Sequence, residues 1–305
     1  MIICSRSSLF SCVVFSCFLF LFHGRGETSP KIVAIQSVSV TPYTQALRGF
    51  ESACNCTINK LLVSELYGSD CAHQIHKIDP ALLLAIGRDA LVQIKDIKES
   101  PIIYIMVLQP QSILGENKNI TGISMNIPPE KQFDIFAQVL PDKKKLGLII
   151  NPDMTGSFIE RAKADAAKKG FELVIKESKS SMQVPSLIQD MRNRIDAFWM
   201  VPDTKIICPE TVEAILLFSI DNKIPVISFA EKYVEMGALM SLSIDAFELG
   251  KQAGQMARKI LMGNYVMKNE EIDPENIKLS INIKIANKIG VIIPDKILYN
   301  SNIIE

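Results

Sequence analysis

Several charged and hydrogen-bonding side chains stand just after short apolar runs, where a strand hands the chain to a loop. Gly87-Arg88-Asp89 follows Ala81 to Ile86. Arg88 offers a forked guanidinium suited to a carboxylate or phosphate, and the helix start there adds free amides and the positive end of a dipole. The competing reading is a solvated first-turn arginine beside an ordinary helix-start acid. Thr41 and Tyr43 follow Lys31 to Val38, and Gln109 follows Ile102 to Leu108; the tyrosine either stacks on a planar ligand or packs between parts of the fold. Asn151 and Thr155 follow Leu146 to Ile150, Asp203 and Thr204 follow Ala197 to Val201, and Glu231 and Lys232 follow Pro225 to Phe229. Asp203 and Glu231 each trail a strand by a step or two, so each carboxylate is placed either to hold an amine or to cap the next helix. Asp245, with Glu248 three residues on, reads as a helix N-cap.

The elements that position these groups follow from the same runs. Ala197-Phe-Trp-Met-Val201 and Pro225-Val-Ile-Ser-Phe229 are unbroken apolar segments, the form strands take when helices cover both faces of a parallel sheet. Such a sheet collects its polar loops along one edge, and ligands sit outside the carboxyl ends of its strands. From the front, strands at 31–38, 57–64, 81–86 and 102–108 alternate with helices from Thr41 (a cap) and Pro42 to about 53, at 69–78 and at 88–97, one βαβ array. After Pro128-Pro129 opens a helix through Phe133, Phe136, Val139 and Leu140, a second array follows. Its strands lie at 146–150, 172–175, 197–201 and 225–229, with helices near 157–169, 184–193 and 209–221. Two such arrays suggest two lobes around a cleft. Ala246 to Met262 is a long helix that continues neither array simply, and no literal internal repeat is visible. The fold class expected is therefore α/β, two doubly wound parallel-sheet lobes.

The chain opens with Arg6 and an apolar run from Leu9 to Phe22, shorter than the ~18 apolar residues of a stable span. It ends at Gly24-Arg25-Gly26, so residues 1–26 read as an export signal cleaved after Gly26; an uncleaved anchor or lipidation at Cys17 are the rivals. Bases and acids balance at 33 each, with no basic face to imply nucleic acid. Of the seven cysteines, Cys54, Cys56, Cys71 and Cys208 lie beyond the signal. In an oxidising compartment Cys71 pairs with Cys54 or Cys56, or all stay free; a bridge from Cys54 to Cys56 across one residue is not expected. Cys54-x-Cys56 is tighter than the usual metal spacing, and Cys71, His73 and His76 cannot share one helical face. No metal and no cofactor is expected. An exported α/β enzyme is the rival class, but there is no G-x-S-x-G elbow, no phosphate loop, and His73 and His76 lie on a helix away from the loop edge.

Thr121-Gly-Ile-Ser, Pro128-Pro-Glu-Lys-Gln132, Leu140-Pro141, Leu146 to Asn151-Pro152, Val234-Glu-Met-Gly-Ala238 and Ile244-Asp-x-x-Glu-Leu-Gly-x-Gln-Ala-Gly254 resemble the ABC transporter substrate-binding protein family from Lys31 to Pro294. Its better-known members serve aromatic amino acid uptake. The resemblance implies the type 1 periplasmic binding fold: two lobes joined by three crossing segments that close on a ligand by hinge motion. It divides the chain into a first lobe of 31–125 with 246–275 and a second of 126–245 with 276–305. A periplasmic or extracytoplasmic monomer that passes an amino acid-like molecule or small carboxylate to an inner-membrane ABC permease is implied, with a ligand sensor for a membrane signalling partner as the alternative. Ligand contacts would come from the strand-end residues named above. Gly87-Arg88-Asp89 departs from the small or hydroxyl residues of the family's amino acid binders, so the ligand's identity stays open.

Overall fold

The apolar runs resolve into two sheets. The computed structural model describes residues 30–65, 70–115 and 117–305; the expected signal at 1–26 lies outside them. In chain order the first array is β1 (Lys31–Gln36), α1 (Thr41–Cys54), β2 (Thr57–Leu62), α2 (Asp70–Ile78), β3 (Leu82–Ile86), α3 (Arg88–Ile94), β4 (Ile102–Ile105) and β5 (Ile120–Ile123). The second is α4 (Pro129–Val139), β6 (Lys145–Ile150), α5 (Pro152–Lys168), β7 (Glu172–Glu177), α6 (Val184–Gln189), β8 (Ala197–Trp199), α7 (Pro209–Asn222), β9 (Val226–Ser228), α8 (Glu231–Glu235) and β10 (Met240–Ser243). The chain closes with α9 (Ala246–Leu261), β11 (Glu271–Ile272), β12 (Lys278–Asn282), α10 (Ile283–Ile289), α11 (Asp295–Tyr299) and β13 (Asn302–Ile304).

The first sheet runs β11-β5-β4-β3-β1-β2, with every pair parallel. The second runs β13-β12-β10-β9-β8-β6-β7, parallel except where β12 meets β10. In both, the array's first strand lies between its second and its third, so each sheet reverses its winding at one place: between β1 and β3, and between β6 and β8. The repeat that residue-by-residue comparison does not show is present in topology. Such reversals open a crevice at the carboxyl ends of the strands.

Alternation along the strands splits the cores. Ile32 and Ala34 face α1 and α9, whereas Val33 and Ile35 face the other side with Cys71, Ala90 and Leu91. In the second sheet an aromatic cluster, with Phe133 and Phe136 edge-on to Trp199 at 5.3 and 5.6 Å, fills the face under α4 and α5. The chain passes from the first sheet to the second after β5, returns after β10 and crosses again after β11. Ile244, on the return, packs against the cores of both sheets.

Three expectations fail locally. Thr41 is not the cap of α1: Val40 holds that position and Thr41 is already helical. Helix α5 begins at Pro152, five residues before the predicted 157, because Asn151 caps it. The disulfide joins Cys54 to Cys56, their Cα atoms 5.3 Å apart, and Cys71 is a buried free thiol. Cys54 and Cys71 lie on opposite faces of the first sheet, so of the two readings for Cys71 the free thiol holds, and the left-handed turn at Asn55 folds Cys56 back to Cys54. Among the described residues no group of three or more His, Cys, Asp or Glu could hold a metal ion, and no helix is long and apolar enough to cross a membrane.

Candidate functional site

Both winding reversals carry predicted residues. At the first, Gly87 adopts φ +94°, and a Cβ there would lie 2.6 Å from Ser37 Oγ and 2.7 Å from the Tyr43 hydroxyl. Only glycine lets Tyr43, on the first turn of α1, lie against the end of β3. Burial, and then the nearby Asp89 carboxylate, push the Tyr43 phenol above its ordinary value, so it stays a neutral donor. Ser37 Oγ accepts from Ala90 N–H at 3.0 Å, which removes one of the helix-start amides expected to serve an anion; α3 spans only seven residues. Arg88 and Asp89 are exposed. Arg88 Nη1 donates to Ser112 Oγ at 3.1 Å, and that hydroxyl donates to the Gln109 carbonyl at 2.9 Å.

The loop after β4 is strained. Met106 and Gln109 both have left-handed φ, 59° and 51°, a conformation that costs a side-chain-bearing residue about 1–2 kcal/mol and that clusters at ligand clamps. Val38, Val40 and Leu108, on the loops around Tyr43 and Gln109, are apolar yet exposed. This rim therefore offers an aromatic ring, a guanidinium and apolar contacts together. Thr41 is exposed beside them.

At the second reversal the residues form a network. The Asp203 carboxylate, 2% exposed, accepts from Asn151 N–H at 2.7 Å, the Thr155 hydroxyl at 3.3 Å and Lys205 N–H at 3.0 Å. Asn151 Oδ1 accepts from Asp153 N–H as the cap of α5. Thr155 Oγ1 also donates to the Asn151 carbonyl. The loops after β6 and β8 are thus pinned together through one carboxylate, and Thr204 stands exposed beside it.

Glu231 and Lys232 do not join this group. Glu231 opens α8, and its carboxylate is held by Lys278 and by Asn302 Nδ2, tying it to β12 and β13 instead of leaving it free for an amine. Lys232 Nζ lies 4.7 Å from the centre of the Tyr233 ring. Asp245 does cap its helix, accepting from Glu248 N–H at 3.0 Å. Ser37 and Ser112 shape the first rim without having been singled out; the signal for Ser37 was a hydroxyl directly after an apolar strand. Among the described residues no hydrogen bond or ion pair links the β1/β3 rim to the β6/β8 rim. A surface groove of about 380 Å³ lies elsewhere, between α5 and the edge strand β7.

Comparison with known proteins extends this picture. The "Tyrosine-binding protein" of Clostridioides difficile (strain R20291) is 30% identical over 177 residues, 55% of this chain, and the match spans about half (51%) of that protein's length. The ligand-free, open structure of a substrate binding protein with adhesive properties from Clostridium difficile superimposes with a TM-score of 0.74 at 23% identity, covering 90% of this chain and 99% of that one. The ABC domain from Streptococcus pneumonia in complex with L-Trp aligns with a TM-score of 0.57, also at 23% identity, over 90% of this chain and all of that one. The fold is thus that of the type 1 periplasmic binding proteins. A family model described as "ABC transporter substrate binding protein" matches residues 68–303, most of the described sequence, and the chain belongs to that family.

Proposed function

We propose that this protein captures an α-amino acid outside the cytoplasm, in the periplasm, and presents it to the permease of an ABC importer. As a member of a substrate-binding family it is not an enzyme. The first lobe is built from 31–125 with 246–275 and the second from 126–245 with 276–305, and ligand closes one on the other. The observation that carries this reading is the duplicated topology: each sheet brings its own polar rim to its own winding reversal, so one molecule bridging both rims stabilises the closed form. On the first rim Tyr43, Arg88, Asp89 and Gln109, with Thr41 beside them, supply the stack and the carboxylate clamp. On the second, Asn151, Thr155 and Thr204 face the ligand, and Asp203 fixes their loops and offers a partner for an ammonium. Glu231 and Lys232 stand outside the site. The exposed apolar residues of the first rim suit an apolar or aromatic side chain, in keeping with the tyrosine-binding relative.

The test is a thermal shift screen of the twenty L-amino acids and small carboxylates, followed by calorimetry. A true ligand at about one hundred times its Kd contributes roughly 2.7 kcal/mol, a rise on the order of 5–10 °C for a protein of this size. A flat response to every amino acid sinks the reading.

A further inference from the structure

The face of the first sheet under α1 and α9 ends, at its carboxyl edge, in a row across the strands: Leu62, Gln36, Ile86, Ile105 and Ile123. The pairing of Gln36 with Leu62 and with Ile86, and of Ile86 with Ile105, sets this register. Four of the five are aliphatic, and Ile86, Ile105 and Ile123 are fully buried. Gln36 breaks the row with an amide whose nitrogen is buried and has no hydrogen-bond partner, and among the described residues its side chain makes no hydrogen bond at either end. A buried donor without a partner is a cost that native proteins rarely carry without a use for it. An aliphatic side chain would complete the row and remove the cost. Gln36 is also the last residue of β1 and half-buried, one step before Ser37, which anchors α3, and in register with Ile86, next to Gly87 against which Tyr43 lies. Rotation about its last side-chain torsion, a broad and nearly two-fold one, exchanges the amide ends and breaks no bond, because neither end holds one.

We infer that Gln36 is a ligand-contacting residue of the first rim, whose unpaired side-chain amide turns to hydrogen-bond the polar head of the bound amino acid. The inference rests on the amino acid reading above. It assigns the cost of the empty amide in the ligand-free protein to binding, as at other sites where stability is given up for function.

The test uses the whole exported chain and the Gln36→Leu variant, with L-tyrosine and L-tryptophan as probes and melting temperature and calorimetric Kd as readouts. Without ligand, Gln36→Leu should melt at the wild-type temperature or above, and its Kd for whichever probe shifts the wild type should rise about tenfold or more. A melting temperature several degrees lower without ligand would make the amide structural and overturn the inference; an unchanged Kd would overturn it as well. If neither these probes nor any other of the twenty L-amino acids shifts the wild type, the amino acid reading fails, and this inference fails with it. A response by the wild type with an equal response by the variant removes Gln36 alone.

Discussion

Arg88 is held by one neutral hydroxyl, Ser112 Oγ, and is exposed, whereas Asp203 is buried and accepts from three donors in two loops. The two residues should therefore respond differently to the same truncation. On the amino acid reading proposed above, Arg88→Ala removes a charge-assisted partner for the ligand carboxylate, about 1.5–3 kcal/mol, so affinity for that amino acid should fall roughly ten- to a hundredfold with melting almost unchanged. Asp203→Ala leaves the buried Asn151 N–H and the partly buried Lys205 N–H without an acceptor and should cost the fold about 1–3 kcal/mol as well as binding. Denaturant unfolding beside calorimetry separates the two; equal stability loss in both variants would refute the assignment. Glu271 gives a third residue-scale prediction. It faces Tyr104, Ser124, Gln111, Asp273 and Arg161, one of its oxygens is buried without a partner, and burial foremost holds its carboxyl above the ordinary 4.5. The folded state then binds the proton more tightly than the unfolded chain. Below 4.5 both states are protonated and the effect vanishes; as pH rises past 4.5 the unfolded chain ionises first and the fold loses stability. Glu271→Gln should therefore gain on the wild type between pH 4 and pH 7.5, and a difference in melting temperature that is constant with pH would refute this. Strand-end positions made the rim residues legible in sequence, since a polar residue after an apolar run sits at a sheet edge. Partnership was not legible: nothing local tells that Glu231 meets Lys278 and Asn302, residues far along the chain that β12 and β13 bring back.

Helices α1 and α9 touch backbone to backbone. A Cβ on Gly49 would stand 1.9 Å from the Phe247 carbonyl oxygen, and one on Gly250 1.8 Å from that of Ala46, so neither helix admits even a methyl group at the crossing. Because α1 carries Tyr43 and α9 follows the second passage between the sheets, this contact fixes a rim to a crossing point. Gly250→Ala must push the helices apart and should cost about 1–3 kcal/mol or more, as overpacking does, despite alanine's better helix propensity; a variant as stable as the wild type in denaturant would show the helices free to separate. The long, amphipathic and strongly apolar elements were readable from periodicity. β3 and β6 fall within one residue of expectation, and α9 ends one residue early. The end of the chain was not readable, for physical reasons. β11 has two residues, β13 has three and is partly exposed, and β10 alternates Met240-Ser241-Leu242-Ser243, with Ser241 in register with Ser228 and Ser280. Their pairing is decided by distant strands, which no local pattern reports.

Across the whole molecule, three short segments join the two sheets, after β5, after β10 and after β11. The third is tethered from both sides: Lys131 Nζ, on α4, donates to the Pro274 carbonyl at 3.0 Å, while the Gln252 side chain, on α9, donates to the Asp273 carbonyl at 2.9 Å and accepts from Glu275 N–H at 3.0 Å. Side chains of rigid helices thus set the path of a linking segment, and any rotation of one lobe on the other must turn about it. If ligand bridges the two rims, it can favour the closed arrangement only by the difference in its affinity for the two forms. A shift from one part closed in a hundred to ninety-nine requires about 5.5 kcal/mol of such preference. An amino acid held at both rims makes contacts in the closed form that the open form lacks; one held at a single rim does not. Small-angle scattering should therefore show the radius of gyration falling on addition of saturating L-tyrosine in the wild type. It should stay at the ligand-free value in an Asn151→Ala, Thr204→Ala variant that still binds L-tyrosine weakly through the first rim. Compaction of the variant to the wild-type extent would mean that the second rim takes no part in closure.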